Sequence, residues 1–256
     1  MTADWPSYLD RYHADHPGIT EDVLGCAADE SGRSPYDWLL EPVPAGGGVV
    51  LDIGCGSAPV ARRLGGGHGY VGVDRSASEL RRAVATGPVA VALADARALP
   101  VGDAQAHAIV ASMMLMVAAE VDRVLAEVGR VLRPGGTFVA TFPTRAADDD
   151  PSAGVFAEVL AVLGQRQVRY PGSLDPPTLR PRLAAAGLAL SEDVHGRFTR
   201  HVGVEQCRLV ADSFYAIGAD DAQLAEARAR LRARAATGPF PLTYRVRRLV
   251  AVRRSH

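Results

Sequence analysis

The sequence predicts a doubly wound α/β fold: a mostly parallel sheet of seven strands, a helical cap before it and a helical insertion ahead of the last strand. Three observations carry that expectation. Short apolar runs recur at 49–53, 70–73, 89–94, 108–111 and 137–141, apolar on consecutive residues rather than on alternate ones. Strands covered on both faces have that pattern, and parallel sheets are built from them. Segments with helical spacing lie between the runs at 60–64, 76–84 and 121–132, and such β-α alternation closes into a sheet with right-handed crossovers. Finally, 256 residues with 48% hydrophobic and 22% charged content suit one globular domain with an appendage.

Taken in order, residues 5–41 look helical and carry several aromatics. Pro17-Gly18 breaks them, Thr20 is placed to cap a helix from Glu21, and Ser34-Pro35 starts another. The Pro- and Gly-rich stretch 42–48 then divides a cap, 1–43, from the main domain, 44–256. Arg133-Pro134-Gly135-Gly136 stops the helix ahead of the fifth run. Further on, Asp175-Pro176-Pro177 opens a helix to about Ala186, Gly187 closes it, and 188–194 reads as a strand. Two helical stretches, 205–217 and 221–236, make up the insertion at about 203–238, before a last strand at 243–252.

Composition excludes several classes of chemistry. The 28 basic residues against 29 acidic ones leave a net charge of -1, so no excess positive field exists to hold a nucleic-acid backbone. All the basic residues are arginine, which removes a phosphate-loop lysine, a Schiff-base lysine and a lysine base. Cys26, Cys55 and Cys207 are odd in number and irregular in spacing, which fits a reducing compartment better than a disulfide or zinc framework. The first residues lack a basic segment followed by an apolar core, and no run approaches the roughly 20 apolar residues of a membrane span. The expectation is a cytoplasmic chain that binds neither nucleic acid nor membrane and holds no metal.

The segment Val49-Val50-Leu51-Asp52-Ile53-Gly54-Cys55-Gly56-Ser57-Ala58 carries the strongest functional signal. A buried strand ends in an acid, and a Gly-x-Gly turn then leads toward a helix, the glycines letting a ligand approach the backbone. Two more acids end the next strands. Asp74 follows Asp52 by 22 residues and can accept both hydroxyls of a ribose, while Asp95 can accept a hydrogen bond from an exocyclic amine. Adenosine recognition follows. A dinucleotide turn would want glycine where Pro59 stands, and Asp52 would repel a pyrophosphate but welcome an ammonium group.

This pattern resembles the class I S-adenosylmethionine-dependent methyltransferases, with their Rossmann-like sheet, over roughly Trp38 to Pro143. The segment Arg130-Val131-Leu132-Arg133-Pro134-Gly135-Gly136-Thr137 resembles the one before their fifth strand. More narrowly, His16-Pro17-Gly18-Ile19-Thr20-Glu21 and Pro35-Tyr36-Asp37-Trp38-Leu39 are similar to leaders of the small-molecule, ubiquinone-methylase-like group of actinobacterial type. The resemblance implies that Asp52, Gly54, Cys55 and Gly56 hold the methionine moiety of S-adenosylmethionine. It also implies that Asp74 holds the ribose, that Asp95 with Ala96 holds the adenine, and that Arg75 flanks it. Ser112 and Met113 would stand near the sulfonium. It further implies methyl transfer to an O, N or C atom of a small organic acceptor, in secondary metabolism.

Two positions depart from the family pattern: Ala58 stands where a third glycine is usual, and His107 where an aspartate usually opens the fourth strand. His107 sits at the amino end of its strand, away from the ligand side, and reads as a structural replacement. The N-terminal cluster of Tyr8, Tyr12, His13, Asp15 and His16 is the leading candidate for the acceptor side. His13 and His16 share a helix face, and imidazole suits proton removal from a hydroxyl acceptor. They are the catalytic candidates, with Tyr12 beside the cofactor. His195, Arg200 and His201 form a weaker second group. The alternatives are a protein of this fold that catalyses cyclisation or elimination, and a nicotinamide-dependent oxidoreductase.

Overall fold

The computed structural model of the chain describes residues 5–144, 150–165, 170–172 and 176–255. Three short helices come first: α1 (Trp5–Asp15), α2 (Ile19–Leu24) and α3 (Pro35–Leu40). Gly18, at φ 79°, turns the chain between the first two, so α2 starts one residue before the expected Thr20 cap. Ser34 caps α3 as expected; its hydroxyl accepts the Asp37 N–H while the Asp37 carboxylate returns to the Ser34 N–H. The chain continues with β1 (Gly48–Ile53), β2 (His68–Asp74), α4 (Ala77–Ala85), β3 (Val91–Leu93), β4 (Ala106–Ser112), α5 (Val121–Val131) and β5 (Leu132–Pro143). It ends with α6 (Pro151–Val162), α7 (Pro176–Ala185), β6 (Leu188–Val202), α8 (Cys207–Asp212), α9 (Asp221–Ala235) and β7 (Phe240–Arg253).

The seven strands form one sheet in the order β3-β2-β1-β4-β5-β7-β6. Pairings from β3 across to β5 are parallel, and β7 runs antiparallel to both β5 and β6. The order reverses between β1 and β4, which opens a crevice at the carboxyl ends of those strands, where open α/β sheets take their ligands. Consecutive apolar residues go to opposite faces, as the sequence pattern requires. Leu51, Ile53, Ile109 and Phe138 pack under α5 and α7. Val50, Val110 and Val139 pack against Tyr36 and Leu39 of α3 and Val23 of α2.

Four expectations need correction. Residues 60–64 form turns rather than a helix, because Ala58 takes a left-handed backbone (φ 59°) and Gly65-Gly66-Gly67 follow at once. The stretch 205–217 is helical only over a short 3-10 turn, Val204–Gln206, and α8. The final two strands are longer than read, since they pair with each other from Leu188↔Arg253 to Val202↔Phe240. The third strand is shorter, only Val91–Leu93. Helix α6 is not among the elements the sequence predicts, and the expected Asp175 opening of α7 lies outside the described residues. Among the described residues, no helix is long and apolar enough to cross a membrane.

Candidate functional site

A cavity of about 250 Å³ lies over the carboxyl ends of β1, β2 and β4, with α1 and the segment after α8 on its far side. Asp52 is its most buried acid, 1% exposed. Its Oδ2 accepts the Tyr70 hydroxyl at 2.9 Å, while Oδ1 has no partner. Burial, with Asp74 adding to it, pushes the Asp52 carboxyl up to about 7, against the lowering effect of the Tyr70 bond. An unpartnered carboxylate oxygen taken out of water is costly, and a cation placed beside it would recover that cost.

The turn after β1 is shaped by its glycines. Gly54 and Gly56 have φ of 68° and 53°, and a Cβ on Gly54 would come within 2.6 Å of the Met114 Cβ. The N–H groups of Gly54 and Cys55 both donate to the Val73 carbonyl, locking the turn onto β2. Cys55 is buried and lines the cavity, and burial raises its thiol far above the usual range, so it is an apolar wall and not a nucleophile.

Asp74, at the end of β2, accepts N–H bonds from Gly56 and Ser76, one on each oxygen, both at 2.8 Å. These bonds fix the carboxylate's plane and leave each oxygen a lone pair for a ligand hydroxyl. Burial raises its pKa against them. Arg75 points to the rim and pairs with Asp10 of α1 at 2.9 Å. Asp95 and Ala96 line the cavity beyond, but the Asp95 carboxylate is already gripped by the Arg97 guanidinium and N–H, which lower it to about 2. Asp95 is thus a fixed anion with part of its accepting capacity in use. Arg97 gave no separate signal in the sequence.

Ser112 and Met113 line the opposite wall, where β4 ends. Met113 has φ 54°, an unusual backbone for a bulky residue, of the kind held in place at ligand sites. Met114, Val117 and Ala118 extend this apolar wall through a 3-10 turn, Leu115–Val117.

The N-terminal candidates separate. His13 lines the cavity; Tyr12 and His16 do not. Tyr12 is 7% exposed and donates its hydroxyl to the Asp212 carbonyl at 2.9 Å, tying α1 to α8, while the His16 ring lies against the Tyr12 backbone and ring. Tyr12 thus joins the N-terminal segment to α8 and His16 packs on Tyr12, while neither side chain lines the crevice. The sequence missed two residues here. Glu79 of α4 holds His13 Nδ1 at 2.9 Å, and Tyr215 closes the cavity from the segment after α8. Neither lies in a recognisable motif, since both reach the site only through the packing of remote elements. His107 accepts the Val49 N–H at the amino end of β4, a structural role, as read. His195 lies by a separate indentation with Asp193 and Arg247, and Arg200 donates to the Asp22 and Val23 carbonyls. Among the described residues no group of three or more His, Cys, Asp or Glu is arranged for a metal.

The residues present fit S-adenosylmethionine: an unpartnered buried carboxylate for its ammonium, a preset carboxylate for its ribose, an apolar wall by its sulfonium. Residues 51–140 match the family model described as a methyltransferase domain. Uncharacterized methyltransferases of Mycobacterium tuberculosis and Mycobacterium bovis are 37% identical over 115 residues, 43% of this chain and 58% of each relative. The chain thus spans a little over half the length of the curated relatives it matches. Among solved structures, the [4+2]-cyclase SpnF is similar with a TM-score of 0.62 and 19% identity, over 97% of this chain and 96% of that one. Phosphoethanolamine N-methyltransferase 2 of Haemonchus contortus, in complex with S-adenosyl-L-methionine, is similar with a TM-score of 0.61 and 15% identity, over 99% of this chain and 61% of that one. Strand order, crevice and domain match agree: residues 51–140 carry a methyltransferase domain, set in a seven-stranded Rossmann-like sheet.

Proposed function

We propose that the protein binds S-adenosylmethionine and catalyses transfer of its methyl group to an O, N or C atom of a small organic acceptor of secondary metabolism. The observation that carries the reading is the buried Asp52 carboxylate, whose Oδ1 has no protein partner beside the Gly54–Gly56 turn. When bound, S-adenosylmethionine supplies a methyl group already activated by the sulfonium. Asp52 meets the ammonium of the methionine end, and Asp74 accepts the ribose hydroxyls. Asp95 and Ala96 border the adenine, with Arg75 at the rim. Ser112 and Met113 border the sulfur. The walls contributed by α1 and Tyr215 exclude water and hold the acceptor in line, which supplies most of the rate in such a displacement.

Thermal shift with S-adenosylhomocysteine and NAD tests the reading. Stabilisation by the first and not the second supports it, through mass action on the folded state. The reverse result assigns the cleft to a nicotinamide cofactor. A second reading, catalysis of a cyclisation without methyl transfer, draws on the likeness to SpnF. Labelled S-adenosylmethionine with candidate acceptors separates the two: cofactor binding with no label transferred favours the second.

A further inference from the structure

Glu79 has a local explanation that fails. It is the third residue of α4, where an acid commonly turns back to the cap residue's N–H. Ser76 does cap α4 by accepting the Glu79 N–H, but the Ser76 N–H is taken by Asp74 instead. The Glu79 carboxylate leaves its own helix. It is 4% exposed, with Oε2 accepting the Gly18 N–H at 2.8 Å and Oε1 2.9 Å from His13 Nδ1. A buried acid with both oxygens committed to another element is placed for a purpose beyond capping.

His13 is the counterpart. Its side chain keeps 23% of its surface and lines the cavity. The Tyr12 and Tyr215 rings stand edge-on to it, with centroids at 5.3 Å and 6.4 Å. Of the charged groups, Glu79 on α4 and Asp74 on β2 face it. A carboxylate accepts hydrogen bonds and does not give them, so Glu79 selects the tautomer with the proton on Nδ1. The lone pair is then on Nε2, the opposite edge of the ring.

We propose that Glu79 is a positioning residue that holds His13 as the Nδ1–H tautomer, leaving Nε2 free at the cavity as the proton acceptor for methyl transfer to a hydroxyl compound. This rests on the methyl-transfer reading above. In the step, a lone pair of the hydroxyl oxygen forms the O–CH₃ bond, the C–S bond breaks, and its electron pair stays on sulfur. The hydroxyl proton passes to His13 Nε2, and the resulting imidazolium is balanced by the Glu79 carboxylate until the proton leaves to solvent. An acceptor with no proton to lose makes no use of this pair.

Two measurements test it without knowledge of the acceptor. In ¹⁵N-histidine-labelled wild-type protein at pH 8, two-bond ¹H–¹⁵N correlation spectra are expected to give a protonated Nδ1 and a bare Nε2 for His13. Diethylpyrocarbonate, mapped by mass spectrometry, is expected to modify His13 at Nε2. In Glu79→Gln the Nδ1–H to Nε2–H ratio is expected to fall by about tenfold, the scale of a lost hydrogen bond to a charged group, and modification at Nε2 to fall with it. A His13 that is Nε2–H in wild type, or inert to the reagent, overturns the proposal. A tautomer ratio unchanged in a Glu79→Gln protein with wild-type circular dichroism also overturns it. Should the variant not fold, the wild-type spectra and modification decide alone. Failure of the methyl-transfer reading would be seen separately, as wild-type protein that does not bind S-adenosylhomocysteine.

Discussion

Asp52 sets the pH behaviour of the site. Its carboxyl stands near 7 in the folded chain against 3.8 when exposed. Between those values the folded state keeps a proton that the unfolded state has released, so this residue lowers stability progressively as pH rises from about 4 to about 7. Thermal melts of wild type and Asp52→Asn across pH 5 to 8 are expected to converge in slope only after this contribution is removed: the wild-type Tm declines more steeply. Ligand binding has the opposite dependence. An ammonium beside Asp52 requires the ionised form, so affinity for S-adenosylhomocysteine is expected to fall as pH drops below about 7, with proton release on binding near pH 6.5. Asp74 acts differently, since its geometry is already fixed by the Gly56 and Ser76 N–H groups. Asp74→Ala is expected to weaken S-adenosylhomocysteine binding by about 1–3 kcal/mol, measured by calorimetry, through lost charge-assisted bonds. Unchanged affinity would remove Asp74 from the site.

At the scale of elements, the strands that carry the acids of the crevice are legible in the sequence, and the parts that cover the crevice are not. Strands β1, β2 and β4 declare themselves because burial on both faces demands unbroken apolar runs, and their terminal acids stand out against that background. The segment 60–64 misleads, because five residues of helical spacing cannot outweigh the left-handed backbone at Ala58 and three following glycines. Strand β6 extends well beyond the 188–194 that the sequence predicts, since its second half alternates exposed and buried residues and carries Arg197, Arg200 and His201. Glu79 and Tyr215 gave no signal, because no local pattern records which remote helix a side chain will meet. Helix α5 offers a direct test of the packing: a Cβ on Gly129 would stand 2.0 Å from the Ala186 carbonyl oxygen, below any tolerable contact. Gly129→Ala is therefore expected to cost about 3 kcal/mol in denaturant melts by forcing α5 off the end of α7. A neutral effect would mean that this junction is looser than described.

The whole molecule is arranged so that its charge and its cover meet at one crevice. Lining the cavity are Asp10, Glu21, Asp52, Asp74, Glu79 and Asp95; the guanidiniums that reach it, Arg75 and Arg97, are paired with Asp10 and Asp95, and Glu21 is paired with Arg62. What remains unneutralised is negative, suited to a ligand that carries an ammonium and a sulfonium. The cap closes over it through independent ties: Tyr12 to the Asp212 carbonyl, His13 to Glu79, Asp10 to Arg75. Isothermal titration with S-adenosylhomocysteine tests this arrangement most directly. One site per chain is expected, tighter at pH 8 than at pH 6, with the pH dependence reduced in Asp52→Asn. No heat and no thermal stabilisation at millimolar S-adenosylhomocysteine, under conditions where the protein is folded, would contradict it.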